Sequence, residues 1–191
     1  LLTETIRRFD DRQDPPLKLS TNGVTTIEKD SKGLLWIGTF GGGLEIIDTN
    51  LKEPEVATSR LGFKLPPEPI ILDIEIDIYG QIWIGTLSSG LVRLNADYAG
   101  YQVFDQPNSS IHTQTPWVLK FRDGGDLYIG SPDSGIAYIK QDYLLNDMPQ
   151  FETPEIFESF DNKNIYSLEI AGSNLWVTHD SGLTAINIFR C

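Results

Sequence analysis

The feature that most limits the folds available to this chain is a motif that occurs four times at a nearly constant spacing. Each copy has an aromatic residue within a short apolar run, and a Gly-Leu or Gly-Ile pair follows six or seven residues later. The aromatic residues lie 47, 45 and 48 positions apart and are Trp36, Trp83, Tyr128 and Trp176. A period of this size predicts that one supersecondary unit is repeated along the chain.

Within each repeat, short apolar runs are separated by turn residues. Asp30 and Gly33 lie between two such runs in the first copy, as do Asp77 and Gly80 in the second. Asp accepts hydrogen bonds from backbone N–H groups and Gly adopts positive φ, as tight hairpins require. One short helical turn is expected within residues 141–148. A fourth strand is expected to end at Phe9-Asp10, Phe104-Asp105 and Phe160-Asp161, with a degraded copy within residues 56–63.

Four short antiparallel strands in each repeat are typical of a β-propeller blade. We therefore predict an all-β fold, a single β-propeller domain of four-stranded blades over residues 1–191. Pairing of the first strand, Glu4 to Asp10, with the last, Leu183 to Phe189, would close four blades into a ring without an exposed edge. The alternative is a fragment of a seven-bladed ring, whose end blades would expose flat sheet faces.

The charge of the chain argues against nucleic acid and anionic membrane surfaces as partners. There are 27 acidic and 15 basic residues, which gives a formal net charge of -12 at pH 7, whereas phosphate binding needs clustered Lys and Arg. The one cysteine, Cys191, is the last residue, which excludes an internal disulfide and a cysteine-rich metal site. We predict no cofactor and no metal. Residue 1 is Leu and no signal segment follows it, so we expect a piece of a longer protein or a processed product.

Two of the repeats carry a specific family signature. The run from Asp30 to Thr39, Asp-Ser-Lys-Gly-Leu-Leu-Trp-Ile-Gly-Thr, followed by Gly42-Gly43-Leu44, resembles the two-component regulator propeller repeat. The run from Asp77 to Thr86 with Gly90-Leu91 resembles it too. The third copy has Tyr128 in place of Trp, and the fourth has Thr178-His179 in place of Gly-Thr.

The resemblance implies a sensor module. Such repeats typically form the extracytoplasmic input region of membrane-bound hybrid histidine kinases, and sometimes of diguanylate cyclases or transcription regulators. A periplasmic or extracytoplasmic location, a membrane-anchored parent protein and signal transduction by ligand binding are expected on this ground alone. The family's propellers usually have many more blades than four.

The recurring aromatic residues are expected to pack between neighbouring blades, because such rings bury large apolar areas. Four charged residues lie seven or eight positions before them on the innermost strands. Because unpaired charges are rarely buried, these side chains are expected to line a wet central channel. This channel ring is predicted to consist of Glu28, Glu75, Lys120 and Glu169.

Ligand recognition is expected on the loops, since loops on a rigid scaffold carry most binding sites. In a propeller, the loops between second and third strands share one face with the linkers that join the blades. An exposed aromatic ring beside polar groups suits a sugar or a small metabolite. The candidate ligand-binding residues are Phe40, His112, Trp117, Asp133, His179 and Asp180.

Three functions are open from the sequence. The first is a non-enzymatic propeller that senses a small-molecule or carbohydrate ligand or interacts with a protein. The second is a structural propeller that dimerises, as a homodimer, or acts as a spacer. The third is a propeller lyase that uses His112 and His179. No nucleophile elbow or phosphate-binding Gly loop accompanies these His residues, so we predict no catalytic residues.

Overall fold

The computed structural model describes residues 6–15, 17–51, 55–56, 69–106, 109–113, 115–123, 125–132 and 134–188, with the backbone alone at 55–56. The strands are short, four to seven residues in most cases. Each leads through a tight turn or a linker to the next. They are β1 (Val24–Lys29), β2 (Leu34–Thr39), β3 (Leu44–Asp48), β4 (Glu55–Val56), β5 (Ile71–Ile76), β6 (Ile82–Thr86), β7 (Leu91–Leu94), β8 (Tyr101–Phe104), β9 (Val118–Phe121), β10 (Leu127–Ser131), β11 (Gly135–Ile139), β12 (Ile165–Ala171), β13 (Asn174–His179) and β14 (Gly182–Asn187).

The strands form four antiparallel sheets, each built from consecutive strands, which we call blades 1 to 4. Blade 1 has the order β1-β2-β3-β4 and blade 2 the order β5-β6-β7-β8. Blade 3 consists of β9-β10-β11 and blade 4 of β12-β13-β14, so these two have three strands in the described part of the chain. The inner strands β1, β5, β9 and β12 contact one another in that order. The all-β prediction and the repeat are therefore confirmed, whereas four strands in every blade are not.

The fourth-strand prediction fails where local packing favours another conformation. Phe104 ends β8 as expected, but Phe160 ends a 3-10 helix, Glu155–Phe160. Phe157 and Phe160 are both buried, and side chains three residues apart lie on one side of a 3-10 helix. Asp10 forms only an isolated parallel bridge with Lys18, and residues 57–63 lie outside the described part. The other 3-10 helix, Gln141–Tyr143, agrees with the expected short turn.

Ring closure by the chain ends is not seen in the described residues. Residues 6–9 belong to no strand, and β14 pairs only with β13. The N-terminal segment instead crosses the face of blade 1 that is turned away from blade 2. Leu19 is buried there, and the backbone N–H of Ser20 donates to Glu45 Oε1 at 2.9 Å. Residues 1–5 and 189–191, where the predicted pairing would continue, lie outside the described range.

Three apolar cores lie between successive blades. Trp36 packs with Ile74 and Ile84 of blade 2, and Trp83 packs with Leu119 and Ile129 of blade 3. Tyr128 in turn contacts the core of blade 4 around Leu168 and Val177. The predicted packing role is thus found for three of the four aromatics. It is not found for Trp176, which is 39% exposed, and none of the four described sheets covers that side of blade 4.

Blades 1 and 2 each have a turn in which one Asp carboxylate accepts hydrogen bonds from backbone N–H groups and from the indole of the Trp. Asp30 Oδ1 accepts from the N–H groups of Lys32 and Leu34, and its Oδ2 accepts from Trp36 Nε1 at 2.9 Å. Asp77 repeats this arrangement, with Trp83 Nε1 at 3.0 Å from Oδ2. Burial would raise the pKa of Asp30, but hydrogen bonds from Tyr98, Trp36 and the backbone outweigh it and lower the pKa. The equivalent positions of blades 3 and 4 are Arg122 and Ala171, so this carboxylate turn is found only in the first two blades of the described structure.

Candidate functional site

The loops between second and third strands lie beside the linkers that enter each blade, and we call their common surface the loop face. The N–H of Phe40 donates to Gly23 O at 2.6 Å, and the N–H of Leu87 donates to Ile70 O at 3.2 Å. In blade 3, the Trp117 N–H donates to Gly130 O at 2.9 Å. The expected arrangement of loops on one face therefore holds.

A cleft of about 460 Å³ opens on the loop face where blade 3 meets blade 4. Its walls come from three different connections: the linker into blade 3, the loop between β10 and β11, and the segment that leads into blade 4. All the lining side chains are polar. They are His112, Ser134, Thr153, Glu158, Asp161 and Asn162.

Local backbone geometry holds these residues together. Glu158 lies on the 3-10 helix Glu155–Phe160, and Asn162 adopts a left-handed φ of 59°, which Asn tolerates better than most residues. Gly135 has a φ of +67°, and a Cβ there would lie 2.7 Å from Phe160 O. The loop of blade 3 can press against the linker into blade 4 because this residue has no side chain.

The cleft presents hydrogen-bond acceptors. Within the described part of the chain, the side chains of His112, Glu158 and Asp161 make no hydrogen bond to another residue. Two carboxylates, an amide and hydroxyl groups can together accept from several hydroxyl or amino groups of a ligand. This chemistry suits a polar ligand better than an apolar one.

The predicted ligand residues are only partly brought together. His112 lines the cleft, and Asp133, next to Ser134, lies outside the described residues. Phe40 and Trp117 are exposed on the loop face but line no part of the cleft. Their contact with a ligand stays a prediction.

His179 and Asp180 lie beside the linker into blade 4, not in the cleft wall. His179 Nε2 is 2.9 Å from Thr184 Oγ1, and Nδ1 accepts from the Ser181 N–H at 3.1 Å. The imidazole ring also meets the ring of Phe160 edge-on. Asp180 is exposed and lies 3.9 Å from His179 Nδ1. Both ring nitrogens of His179 are thus engaged within the protein.

A second polar group forms on the inner strands, as the repeat spacing predicts. The cross-strand partners of the aromatics are Glu28, Glu75, Lys120 and Glu169. Lys120 Nζ lies 3.8 Å from Glu75 Oε1 and 3.2 Å from Glu169 Oε2. The ammonium group of blade 3 therefore links carboxylates of the blades on both sides.

Asp73, which the sequence interpretation missed, completes this inner-strand cluster. Its Oδ2 accepts from the Leu119 N–H at 2.8 Å, and its Oδ1 accepts from Thr26 Oγ1 at 3.1 Å. Asp73 thereby joins blades 1, 2 and 3. Burial raises its pKa, although these hydrogen bonds act in the opposite direction.

Burial also raises the pKa of two other carboxyl groups in the cluster, those of Glu75 and Glu28. It raises the pKa of Glu75 to about 7 although Lys120 opposes the shift, and it raises the pKa of Glu28. Burial would lower the pKa of Lys120, but Glu75 and Glu169 outweigh it and raise the pKa. Lys120 thus offsets part of the negative charge of the cluster through Glu75 and Glu169. No group of three or more His, Cys, Asp or Glu that could hold a metal ion occurs among the described residues.

Thr153, Glu158, Asp161 and Asn162 of the cleft are not among the residues that the sequence places on the ligand-binding loops. Asp161 and Asn162 carry a signal, because an Asp-Asn pair in a short linker before a strand favours a turn with left-handed backbone. The repeat pattern instead predicts that Phe160-Asp161 ends a strand. Glu158 and Thr153 carry no pattern that marks them as site residues.

The comparisons with known proteins agree with the repeat. Residues 18–41 match the family model described as the two-component regulator propeller. A comparison with curated protein sequences found no match. Within the described residues, no helix has the length and apolar character needed to cross a membrane.

Solved structures share the fold. Two are extracellular domains of proteins from B. thetaiotaomicron described as hybrid two-component systems. The first is 24% identical with a TM-score of 0.68, over 95% of this chain and 23% of that one. The second is 22% identical with a TM-score of 0.66, over 95% and 24%. This chain thus spans about a quarter of each domain. A catalytically inactive virginiamycin B lyase from Staphylococcus aureus, solved with quinupristin, is 16% identical with a TM-score of 0.61, over 93% and 59%.

Proposed function

Because the chain contains a two-component regulator propeller repeat, we propose that it is a non-enzymatic sensor module of a bacterial two-component protein. It lies outside the cytoplasm and binds a small polar ligand of the carbohydrate class on its loop face. The fold shared with extracellular domains of two-component proteins supports the location. The observation that carries the ligand proposal is the polar cleft between blades 3 and 4.

The position of the cleft suits signalling. Ser134 belongs to the loop of blade 3, whereas Asp161 and Asn162 begin the linker into blade 4. A ligand that bridges them stabilises one relative arrangement of the two blades. Only a difference in affinity between two arrangements shifts an equilibrium, and a site that spans a junction provides such a difference. The signal then reaches an output domain through this change in the relative positions of the two blades.

A lyase function is less well supported than binding. The similarity to the virginiamycin B lyase, at 16% identity, concerns the fold. His112 is exposed in the cleft, but both nitrogens of His179 are engaged by Thr184 and Ser181. A general base needs a nitrogen within reach of the substrate proton.

The ligand proposal predicts that two carboxylates dominate binding. Calorimetric titration with neutral, amino and acidic monosaccharides is expected to find a saturable ligand. The double variant Glu158→Gln, Asp161→Asn is expected to weaken its binding about tenfold or more, since a hydrogen bond to a charged group contributes about 1.5–3 kcal/mol.

Two matched variants test the location of the site. Glu155→Gln removes an exposed carboxylate from the same 3-10 helix outside the cleft and is expected to leave affinity unchanged. Phe40→Ala removes an exposed aromatic ring from the loop of blade 1, outside the cleft. It therefore tests whether the ligand binds at that loop and not in the cleft. If Phe40→Ala abolishes binding while the double variant does not, the ligand lies elsewhere on the loop face. If no sugar of the panel binds, the carbohydrate proposal is wrong.

A further inference from the structure

The acidic wall of the cleft between blades 3 and 4 comes from one short stretch of chain. Glu158 lies on the 3-10 helix Glu155–Phe160, and Asp161 follows directly after this helix. The N–H of Asp161 donates to Glu158 O at 3.1 Å, so the last turn of the helix keeps the two residues close together. Both side chains line the cleft. Two carboxylates three residues apart are therefore available to one ligand.

Neither carboxylate is neutralised by the described part of the chain. The side chains of Glu158 and Asp161 form no ion pair and no hydrogen bond with another described residue. Lys163 is the basic residue nearest to them in the sequence, and its Nζ donates to Ser181 Oγ of the loop in blade 4 at 2.9 Å. The described lining of the cleft contains no Lys or Arg. Positive charge in this cleft must therefore come from what binds there.

The remaining lining side chains are polar and carry no negative charge. Ser134 and Thr153 contribute hydroxyl groups, Asn162 contributes an amide and His112 an imidazole. Such groups both donate and accept hydrogen bonds, so they suit the hydroxyl groups of a sugar ring. The cleft volume of about 460 Å³ is within the range of small-molecule sites. The cleft thus combines an acidic wall with walls that suit an uncharged polar group.

An organic ammonium group fits the acidic wall better than a metal ion does. Calcium requires six to eight oxygen ligands, and no group of three or more His, Cys, Asp or Glu among the described residues could hold a metal ion. An ammonium group has three N–H donors and needs no fixed coordination shell, so two carboxylates are sufficient partners. The hydrogen bonds that it forms with carboxylates are also stronger than those of a neutral hydroxyl group.

We infer that the cleft is selective for an amino sugar, whose protonated amino group binds to Glu158 and Asp161 while its hydroxyl groups contact the other walls. This inference rests on the proposed function and specifies the class of sugar that the module senses. The two carboxylates also exclude acidic sugars, because like charges repel each other across the cleft. The net charge of -12 on the chain favours the approach of a cationic ligand in the same direction.

Four matched monosaccharides test the selectivity: glucose, glucosamine, N-acetylglucosamine and glucuronate. In calorimetric titrations at a pH where the amine is protonated, glucosamine is expected to bind roughly tenfold more tightly than glucose, as two exposed ion pairs allow. N-acetylglucosamine has no charge and is expected to bind no better than glucose, and glucuronate is expected to bind more weakly. The preference for glucosamine is expected to shrink in about 1 M NaCl, because salt screens exposed charges.

The outcomes separate this inference from the proposed function. If glucose binds as tightly as glucosamine, the amino-sugar inference is wrong, but a carbohydrate sensor is still supported. If binding of glucosamine is lost on addition of EDTA, a metal ion and not the ammonium group is the partner of the carboxylates, and the inference is also wrong. If none of the four sugars binds, both the inference and the carbohydrate proposal fail.

Substitutions in the acidic wall locate the source of the preference. The neutral double variant Glu158→Gln, Asp161→Asn is expected to bind glucosamine and glucose equally. The charge-reversed variant Glu158→Gln, Asp161→Lys is expected to bind glucuronate several times more tightly than glucosamine. Because neither side chain has a partner among the described residues, the melting temperatures of both variants are expected to match that of the wild type.

Glu155→Gln is the matched control, since it removes one negative charge from the same 3-10 helix outside the cleft. It is expected to keep the roughly tenfold preference for glucosamine. A loss of preference in this control would show that the overall charge of the chain determines selectivity, which contradicts the inference. A folded charge-reversed variant that still prefers glucosamine would contradict it as well.

Discussion

Replacing Trp83 with alanine is expected to lower the free energy of unfolding by about 3–5 kcal/mol, the usual cost of truncating a large buried aromatic residue. The Trp83 ring is stacked on Phe104 at 6.0 Å between centroids and contacts the core of blade 3. Its Nε1 is bonded to Asp77 Oδ2, so the substitution also leaves a buried carboxylate oxygen with one donor fewer. Urea unfolding, followed by circular dichroism, measures the change.

Trp176→Ala is the matched control, because it removes the same atoms from the equivalent position of blade 4. Trp176 is exposed and no sheet of the described residues covers it, so we expect a loss of less than about 1 kcal/mol, typical of surface substitutions. Equal losses for the two substitutions would contradict the role of inter-blade packing in the stability of this fold.

The repeat made the architecture predictable because its signal is redundant. Four aromatics at a nearly constant spacing, each followed by a glycine six or seven residues later, predict strands, turns and their order without knowledge of any single contact. The same register places Glu28, Glu75, Lys120 and Glu169 together, and the structure shows Lys120 between two of these carboxylates. The repeat spacing therefore predicts which side chains occupy equivalent positions on the inner strands.

Features that break the repeat were not predictable in this way. The Phe-Asp pair at Phe160 resembles a strand end, but the two buried Phe residues form a 3-10 helix. This helix and the linker after it form the acidic wall of the cleft. Asp73 was missed because its role depends on contacts with Thr26 and Leu119 of the blades on either side. Contacts between different repeats depend on how the blades pack, and a motif within one repeat does not predict them.

Glu75→Gln is expected to change the pH dependence of stability. Burial raises the pKa of Glu75 from 4.5 to about 7 in the folded protein. The folded state therefore holds this proton more tightly than the unfolded state. The resulting stabilisation is complete below pH 4.5 and is lost as the pH rises through about 7. A shift of this size corresponds to about 3 kcal/mol. Above pH 7 the neutral Gln side chain avoids the burial of a charge, so the variant is expected to be more stable than the wild type by up to about 3 kcal/mol.

Unfolding in urea between pH 4.5 and pH 8 tests this expectation, and two variants locate its cause. Glu169→Gln removes the other carboxylate partner of Lys120, but its side chain is 65% exposed, so the pH dependence is expected to stay close to that of the wild type. Lys120→Met removes the ammonium group that opposes the pKa rise of Glu75, so the loss of stability should extend to higher pH. If the free energies of unfolding of the wild type and Glu75→Gln depend on pH in the same way, the burial of an ionisable Glu75 carboxyl between the blades is contradicted. The variant lacks this carboxyl and cannot reproduce its titration.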